Sequence, residues 1–247
     1  MFDTVLTSGL IIRQARSDDA KKVAILITSI PKKPVMTKLL YVEASPRGHD
    51  SKSIHMADAY LAAIRKQNPA LEIDTLRLWE EKLPEFDGNK AAAKMNTISG
   101  RDLTAEQRTA WGEIVEITNR FISADRYLFA VPMWNGGIPY RLKLYIDIIH
   151  QPGLLWGLEA ETGYFGLLKN KHATLLLTSG AFAPHFPSPA FGVDHHSTYM
   201  RDWLNQAGVT NIDEVRFQPT DLTADPEGDL EKAKNASTDL ARKHGKL

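Results

Sequence analysis

An α/β chain with a doubly wound, mostly parallel five-stranded sheet and helices on both faces is predicted by three features of the sequence. Five short β-rich runs alternate with segments whose apolar residues recur at helical spacing. The central run, Tyr127 to Val131, is apolar throughout rather than alternating, as suits a strand buried on both faces. The carboxyl ends of three runs lead into short loops rich in Ser, Gly, Pro and Asn, the residues of tight turns.

Taken in order, residues 1–35 stand apart. Ala24 to Ile30 has the composition of a strand, but Pro31-Lys-Lys-Pro34 breaks the pattern just before Met36. Residues 1–35 are therefore read as an N-terminal extension, either disordered or produced by an upstream start codon, with a small added strand as the alternative. The domain proper is 36–247. Its first strand runs from Leu39 to Glu43, followed by a helix buried through Ile54, Ala57, Leu61 and Ile64. Leu71 to Leu76 is the second strand. Trp79 to Leu103, with Pro84, Gly88, three alanines and Gly100, is a long excursion that is helical in part.

Thr104 with Gln107 three residues later has the form of a capping box and opens a helix through Trp111, Ile114, Thr118 and Ile122. After the central strand, Pro139 is placed at the first position of a helix carrying Leu142, Tyr145, Ile146 and Ile149. Pro152 to Gly166 is a hairpin or an open loop. His172 to Leu177 is the fourth strand, and Ala183 to His196, with three prolines, is a semi-rigid lid. Tyr199 to Ala207 is a helix stopped by Gly208, Ile212 to Phe217 the fifth strand, and Asp225-Pro226 the start of a terminal helix.

Composition narrows the function. In 247 residues, 30 basic and 30 acidic side chains cancel, so no global field draws the protein to nucleic acid or to an anionic membrane. The expected partner is a small molecule. The absence of cysteine excludes disulfides, Cys-ligated zinc, iron-sulfur clusters and thiol nucleophiles, and agrees with a cytoplasmic location. No apolar run reaches the roughly 18 residues of a membrane span. Asp3, Arg13, Arg16, Asp18 and Asp19 are in the wrong order for a secretory signal.

In doubly wound sheets ligands bind beyond the carboxyl ends of the strands. Three loops fall there. The first holds Ser45, Ser51, Lys52 and Ser53 ahead of a helix start, where free N–H groups and the positive end of the helix dipole suit a phosphate. Asp50 or Ser51 as an ordinary N-cap is the plainer alternative. The second is Pro132-Met133-Trp134-Asn135-Gly136-Gly137, a tight turn whose apolar side chains and free amides would hold a planar, polar-edged ring, or would merely cap the core. The third is Thr178-Ser179-Gly180-Ala181-Phe182. Their convergence at one end of the sheet favours a site. The phosphate-binding glycine motifs GxGxxG and GxxxxGK[ST] and the nucleophile elbow GxSxG do not occur, and His195-His196 has no carboxylate at a metal-ligand spacing, so it is placed on the surface or the lid and no metal is assigned.

Ser45, then Ser51-Lys-Ser53, then PMWNGGIPYRLKLYID, then Thr178-Ser-Gly-Ala, in this order, resemble the FMN-dependent NADH azoreductases, also called FMN-dependent NADH:quinone oxidoreductases, of the flavodoxin-like superfamily. The resemblance runs from Met36 to about Lys243. It implies a flavodoxin-like domain in which the first loop holds the FMN phosphate, the second the isoalloxazine, and the third closes the other side. It further implies NADH or NADPH as donor, a quinone or azo compound as acceptor, ping-pong turnover at one site, no catalytic acid or base beyond the flavin, and a homodimer with sites at the interface. Gly136 stands where the family commonly has an aromatic residue, Ala181 where it has a second glycine, and the lid is longer than usual. Trp134 is expected beside the ring or the acceptor, with Phe182, Phe186 and Phe191 filling the opened pocket. The competing expectations are an electron carrier, marked by an acidic face, and a flavin-free domain whose three loops are plain turns.

Overall fold

The computed structural model describes residues 38–245, so the expected extension lies outside the described residues. Five parallel strands form one sheet in the order β2-β1-β3-β6-β7, namely β1 (Lys38–Glu43), β2 (Glu72–Arg77), β3 (Arg126–Pro132), β6 (His172–Thr178) and β7 (Asn211–Phe217). A separate antiparallel hairpin, β4 (Trp156–Glu159) with β5 (Gly163–Gly166), resolves the hairpin-or-loop alternative. The helices are α1 (Lys52–Gln67), α2 (Gly88–Ile98), α3 (Ala105–Ser123), α4 (Tyr140–Ile149), α5 (Ser197–Ala207) and α6 (Pro226–His244).

Side chains alternate across each strand, so the sheet feeds two cores. Leu40, Val42, Phe129, Val131, Leu175 and Leu177 pack on one face with residues of α3, α4 and α5. Leu39, Tyr41, Leu128, Ala130 and Leu176 pack on the other with residues of α1 and α6. Each such side chain contributes about 1.5–3 kcal/mol by burial, which explains why the central runs need no polar alternation. β2, at the edge, carries charges instead. Its Asp74 and the nearby Glu81 hold Arg120 of α3 at 2.8 and 2.9 Å.

Local signals act where they were expected. Thr104 and Gln107 close a full capping box, and Asp225 caps α6 with Pro226 in its first turn. Gly208 ends α5 at φ 96°, where an added Cβ would meet the Leu168 carbonyl at 2.4 Å. One helix start differs, and the excursion expected to be helical in part is so. Pro139 is the residue before α4 rather than its first, at ψ 140°, so the helix starts at Tyr140. The excursion after β2 contains a full helix, α2, fixed by the Asp87 side chain accepting from the Lys90 N–H. No described helix is long and apolar enough to cross a membrane.

The strand order reverses at β1 and β3. The chain leaves β1 outward to β2 and returns to the other side for β3, and loops after neighbouring strands diverge there to open a crevice.

Candidate functional site

β1 and β3 stay paired just past the named strand, with the Ala44 N–H donating to Ala130 at 3.1 Å, and this delivers Ser45, buried, to the rim. The backbone makes a short 3₁₀ turn at Gly48–Asp50 and enters α1 through Ser51. Ser51 occupies the N-cap, yet its side chain caps nothing. Its hydroxyl instead lies 3.1 Å from that of Ser53, and both residues are buried. The Ile54 and His55 amides donate to the Ser51 carbonyl at 3.1 Å, while the Lys52 and Ser53 amides have no acceptor among the described residues and two hydroxyls converge beside them, an arrangement that can receive an anion.

In the second loop, Trp134 and Gly137 donate to each other's carbonyls, each at 2.9 Å, around Asn135 (φ 49°) and Gly136 (φ 84°). This is the two-residue turn that Asn-Gly favours, because both central residues need positive φ. Gly137, which follows, has no positive φ, and an added Cβ there would meet only the Trp134 carbonyl at 4.0 Å. The Met133 N–H donates to the Thr178 carbonyl at 2.7 Å, tying the second loop to the third. There Thr178 and Ser179 are buried, and the Ser179 hydroxyl donates to the Phe182 carbonyl at 2.5 Å, curling the loop back on itself.

Two adjoining cavities result. One, of about 170 Å³, is lined by Ser45, Ser51, Lys52, Pro132, Trp134 and Thr178. The other, of about 230 Å³, is lined by Asn135, Gly136, Ala181, Phe182, Phe191 and Gly192. Met133, Ser179 and Gly180 belong to both, so the two form one bent site. Together they reach the range of roughly 300–1,000 Å³ typical of ligand pockets. A larger cavity, about 530 Å³, lies between the end of β7 and α6 and touches none of the three loops' predicted residues. Its position gives it no part in the crevice at the strand reversal.

The structure thus brings together every predicted site residue except Ser53 and Gly137, which support the cavity walls from behind. Trp134 joins one wall of the bent site. It lines the cavity of the serines and packs on Trp79 and Tyr140, with ring centroids 5.6 and 6.2 Å away, rather than lining the second cavity. Phe182 and Phe191 do line the second cavity, and Phe186 packs behind Phe191 at 4.8 Å. His195 is exposed, but His196 is fully buried with neither ring nitrogen hydrogen-bonded among the described residues, and burial pushes its pKa down to about 4.

Three lining residues escaped the sequence analysis. Arg47 follows Ser45, and Thr220 and Asp221 come from the loop after β7. The Thr220 and Asp221 amides donate to the Gly180 carbonyl at 3.1 and 3.0 Å. The rule that ligands sit beyond strand carboxyl ends applied equally to the fifth strand, and would have found this loop.

The donor set fits FMN. The helix start and its hydroxyls suit a phosphate, and the second cavity, with Met133, Phe182 and Phe191 in its walls and turn amides at its border, suits a planar, polar-edged ring. At Gly136 an added Cβ would meet nothing nearer than the Val193 carbonyl at 3.6 Å, so the positive φ demands glycine there more than crowding does.

Comparison with known proteins agrees. A model of the flavodoxin-like fold family matches residues 37–240. An FMN-dependent NADH:quinone oxidoreductase of Ruegeria pomeroyi is 49% identical over 203 residues, covering 82% of this chain and 99% of the relative. One of the same name from Desulfotalea psychrophila is 42% identical over 185 residues, covering 75% and 86%. The crystal structure of an FMN-dependent NADH-azoreductase from Bacillus anthracis in complex with FMN superposes with a TM-score of 0.76 at 26% identity, over 85% of this chain and all of that one. With the three loops meeting in one crevice of this sheet, the chain belongs to the FMN-dependent NADH:quinone oxidoreductases of the flavodoxin-like fold family.

Proposed function

We propose that the chain binds FMN across the two cavities and passes electrons from NADH to quinones, and to azo compounds, at a single opening. The observation that carries this is the sharing of Met133, Ser179 and Gly180 by both cavities, which joins a phosphate-type cradle to a slot walled by Met133, Phe182 and Phe191. FMN, when bound, supplies two-electron hydride chemistry. What remains for the protein is binding, orientation and exclusion of water.

The roles divide by position. Ser45, Ser51 and the free amides of Lys52 and Ser53 hold the phosphate, the Ser53 hydroxyl positions that of Ser51, and Lys52 and Arg47 add positive charge. Asn135, Gly136, Gly180 and Ala181 offer backbone amides along the ring slot, and no hydrogen bond of these amides closes among the described residues. Met133, Phe182 and Phe191 bound the slot with apolar surface. Donor and acceptor enter by the same opening, so they alternate, and ping-pong kinetics follow. A quinone leaves as the hydroquinone after gaining a hydride equivalent that originates in NADH and one proton, which solvent at this open site supplies.

The ring slot is open beyond Gly136, where Phe191 and Val193 are each 42% exposed, and a second copy of the chain closing it accords with the homodimer implied by the sequence resemblance. The decisive experiment is the absorbance of the purified protein followed by NADH oxidation with and without menadione. A flavin spectrum and quinone-dependent oxidation support the proposal. A colourless protein that takes up no FMN refutes it.

A further inference from the structure

Far from these cavities, at the other end of the strands, three side chains meet that the flavin site does not use. His172 is the first residue of β6, Asp213 the third of β7, and His244 the last of α6. One carboxylate oxygen, Asp213 Oδ2, lies 2.9 Å from Nε2 of His172 and 2.9 Å from Nε2 of His244. We propose that His172, Asp213 and His244 bind a divalent transition metal of the zinc type, which fastens the C-terminal helix to the sheet.

The ligand chemistry comes first. Two imidazoles and one carboxylate form a donor set that suits zinc or cobalt and not the oxygen-seeking magnesium or calcium. The three ligand atoms lie within 4.8 Å of one another, close enough to converge on one ion. The Asp213 side chain is 32% exposed, which leaves solvent access for a fourth, water ligand.

The surroundings supply the outer contacts that metal-bound histidines need. Tyr60 of α1 places its hydroxyl 2.8 Å from Nδ1 of His244. With a metal on Nε2, the proton of His244 moves to Nδ1 and is donated to the Tyr60 oxygen, leaving the Tyr60 proton in need of an acceptor. Thr174, two residues along β6 from His172 and on the same face, supplies it. Its buried Oγ1 has no hydrogen bond among the described residues and lies beside the Tyr60 hydroxyl.

The charges facing the cluster are Asp213 itself, Arg126, whose guanidinium donates to the His244 carbonyl at 2.8 Å, and Lys243. Two cations beside one carboxylate oppose any hard cation held by charge alone, and leave coordination by the imidazoles as the source of affinity. The spacings, 41 residues from His172 to Asp213 and 31 from Asp213 to His244, explain why no sequence motif revealed the site.

The test uses full-length, tag-free protein carrying its flavin, stripped of metal and titrated with Co²⁺ and Zn²⁺ at neutral pH. The expected result is one equivalent of Co²⁺ with the visible d–d absorption of a four- or five-coordinate site, displaced by Zn²⁺, and a rise in Tm with Zn²⁺. Asp213→Asn and His244→Gln should abolish both effects. Tyr60→Phe, which keeps all three ligands, should weaken Co²⁺ binding by roughly 10–100-fold. The proposal is overturned if the parent takes up no Co²⁺, or if the Asp213→Asn and His244→Gln proteins, shown folded by circular dichroism, take it up equally.

Discussion

The Asp221 carboxylate stands 2.6 Å from the point that a Cβ on Gly180 would occupy. The loop after β7 and the loop after β6 are thereby pressed together, and an acid enters the cavity that otherwise holds serines, Arg47 and Lys52. On the proposed placement of the phosphate in that cavity, a negative charge there repels it more than it does the neutral ring. Asp221→Asn is expected to tighten FMN by a few-fold, the size of a like-charge repulsion screened by water, and to change riboflavin affinity far less. Titration with both flavins decides it, and an equal change for the two would place the phosphate elsewhere.

Ser51 and Ser53 hydrogen-bond to each other and to no backbone group of α1. Removing both hydroxyls should therefore cost the apo protein far less than the ~1 kcal/mol of a working N-cap. The same double substitution should weaken FMN roughly tenfold or more, since a bond to a charged acceptor and the hydroxyl that positions it are both lost. Apo stability from denaturant melts and flavin affinity from fluorescence are expected to move apart. A large apo destabilisation with unchanged FMN affinity would return these serines to a purely structural role.

The fold was legible because its information is local. The apolar strands, the Thr104–Gln107 box and Gly208 each state their own conformation, and all agree with one topology. The site was legible as three loops because a single rule places ligands at strand ends. What was hidden depends on distance in sequence. The wall that Trp134 joins was hidden because its partners, Trp79 and Tyr140, come from two other segments. His196 reads as a surface residue of a Pro-rich segment, yet it is fully buried at the entry to α5. The place of Asp221 in the cavity wall and the pairing of Asp213 with two histidines likewise arise only when separate strands are laid side by side.

His196 makes stability sensitive to acid. Burial holds its pKa near 4 in the folded protein, against about 6.5 in the unfolded chain. The unfolded state then binds the proton first, so stability is level above pH ~6.5, falls as pH drops from there to about 4, and levels again. At about 1.4 kcal/mol per pKa unit the whole contribution is on the order of 3 kcal/mol. His196→Gln should flatten that part of the profile, whatever it does to stability at pH 8. Parallel profiles for the two proteins between pH 4 and 6.5 would show that His196 does not titrate in this way.

The two walls of the bent site should separate cofactor retention from acceptor choice. Trp134 lines the cavity of the serines and is braced by Trp79, whose indole N–H donates to the Ala44 carbonyl at 2.9 Å. Phe182 and Phe191 line the other cavity, and Phe191 projects from the segment between Ala183 and His196, well exposed. Trp134→Ala is therefore expected to raise the FMN dissociation constant, roughly two- to tenfold if an aromatic contact of about 0.5–1.5 kcal/mol is lost, and to leave the ranking of acceptors unchanged. Phe191→Ala, or shortening the segment, should keep FMN bound, raise the Michaelis constants of small quinones and admit bulkier ones. Kinetics on FMN-saturated proteins across quinones of graded size separate the two effects. If Trp134→Ala reorders the acceptors and Phe191→Ala does not, acceptors are read at the wall beside the serines, and the segment from Ala183 to His196 is a surface loop.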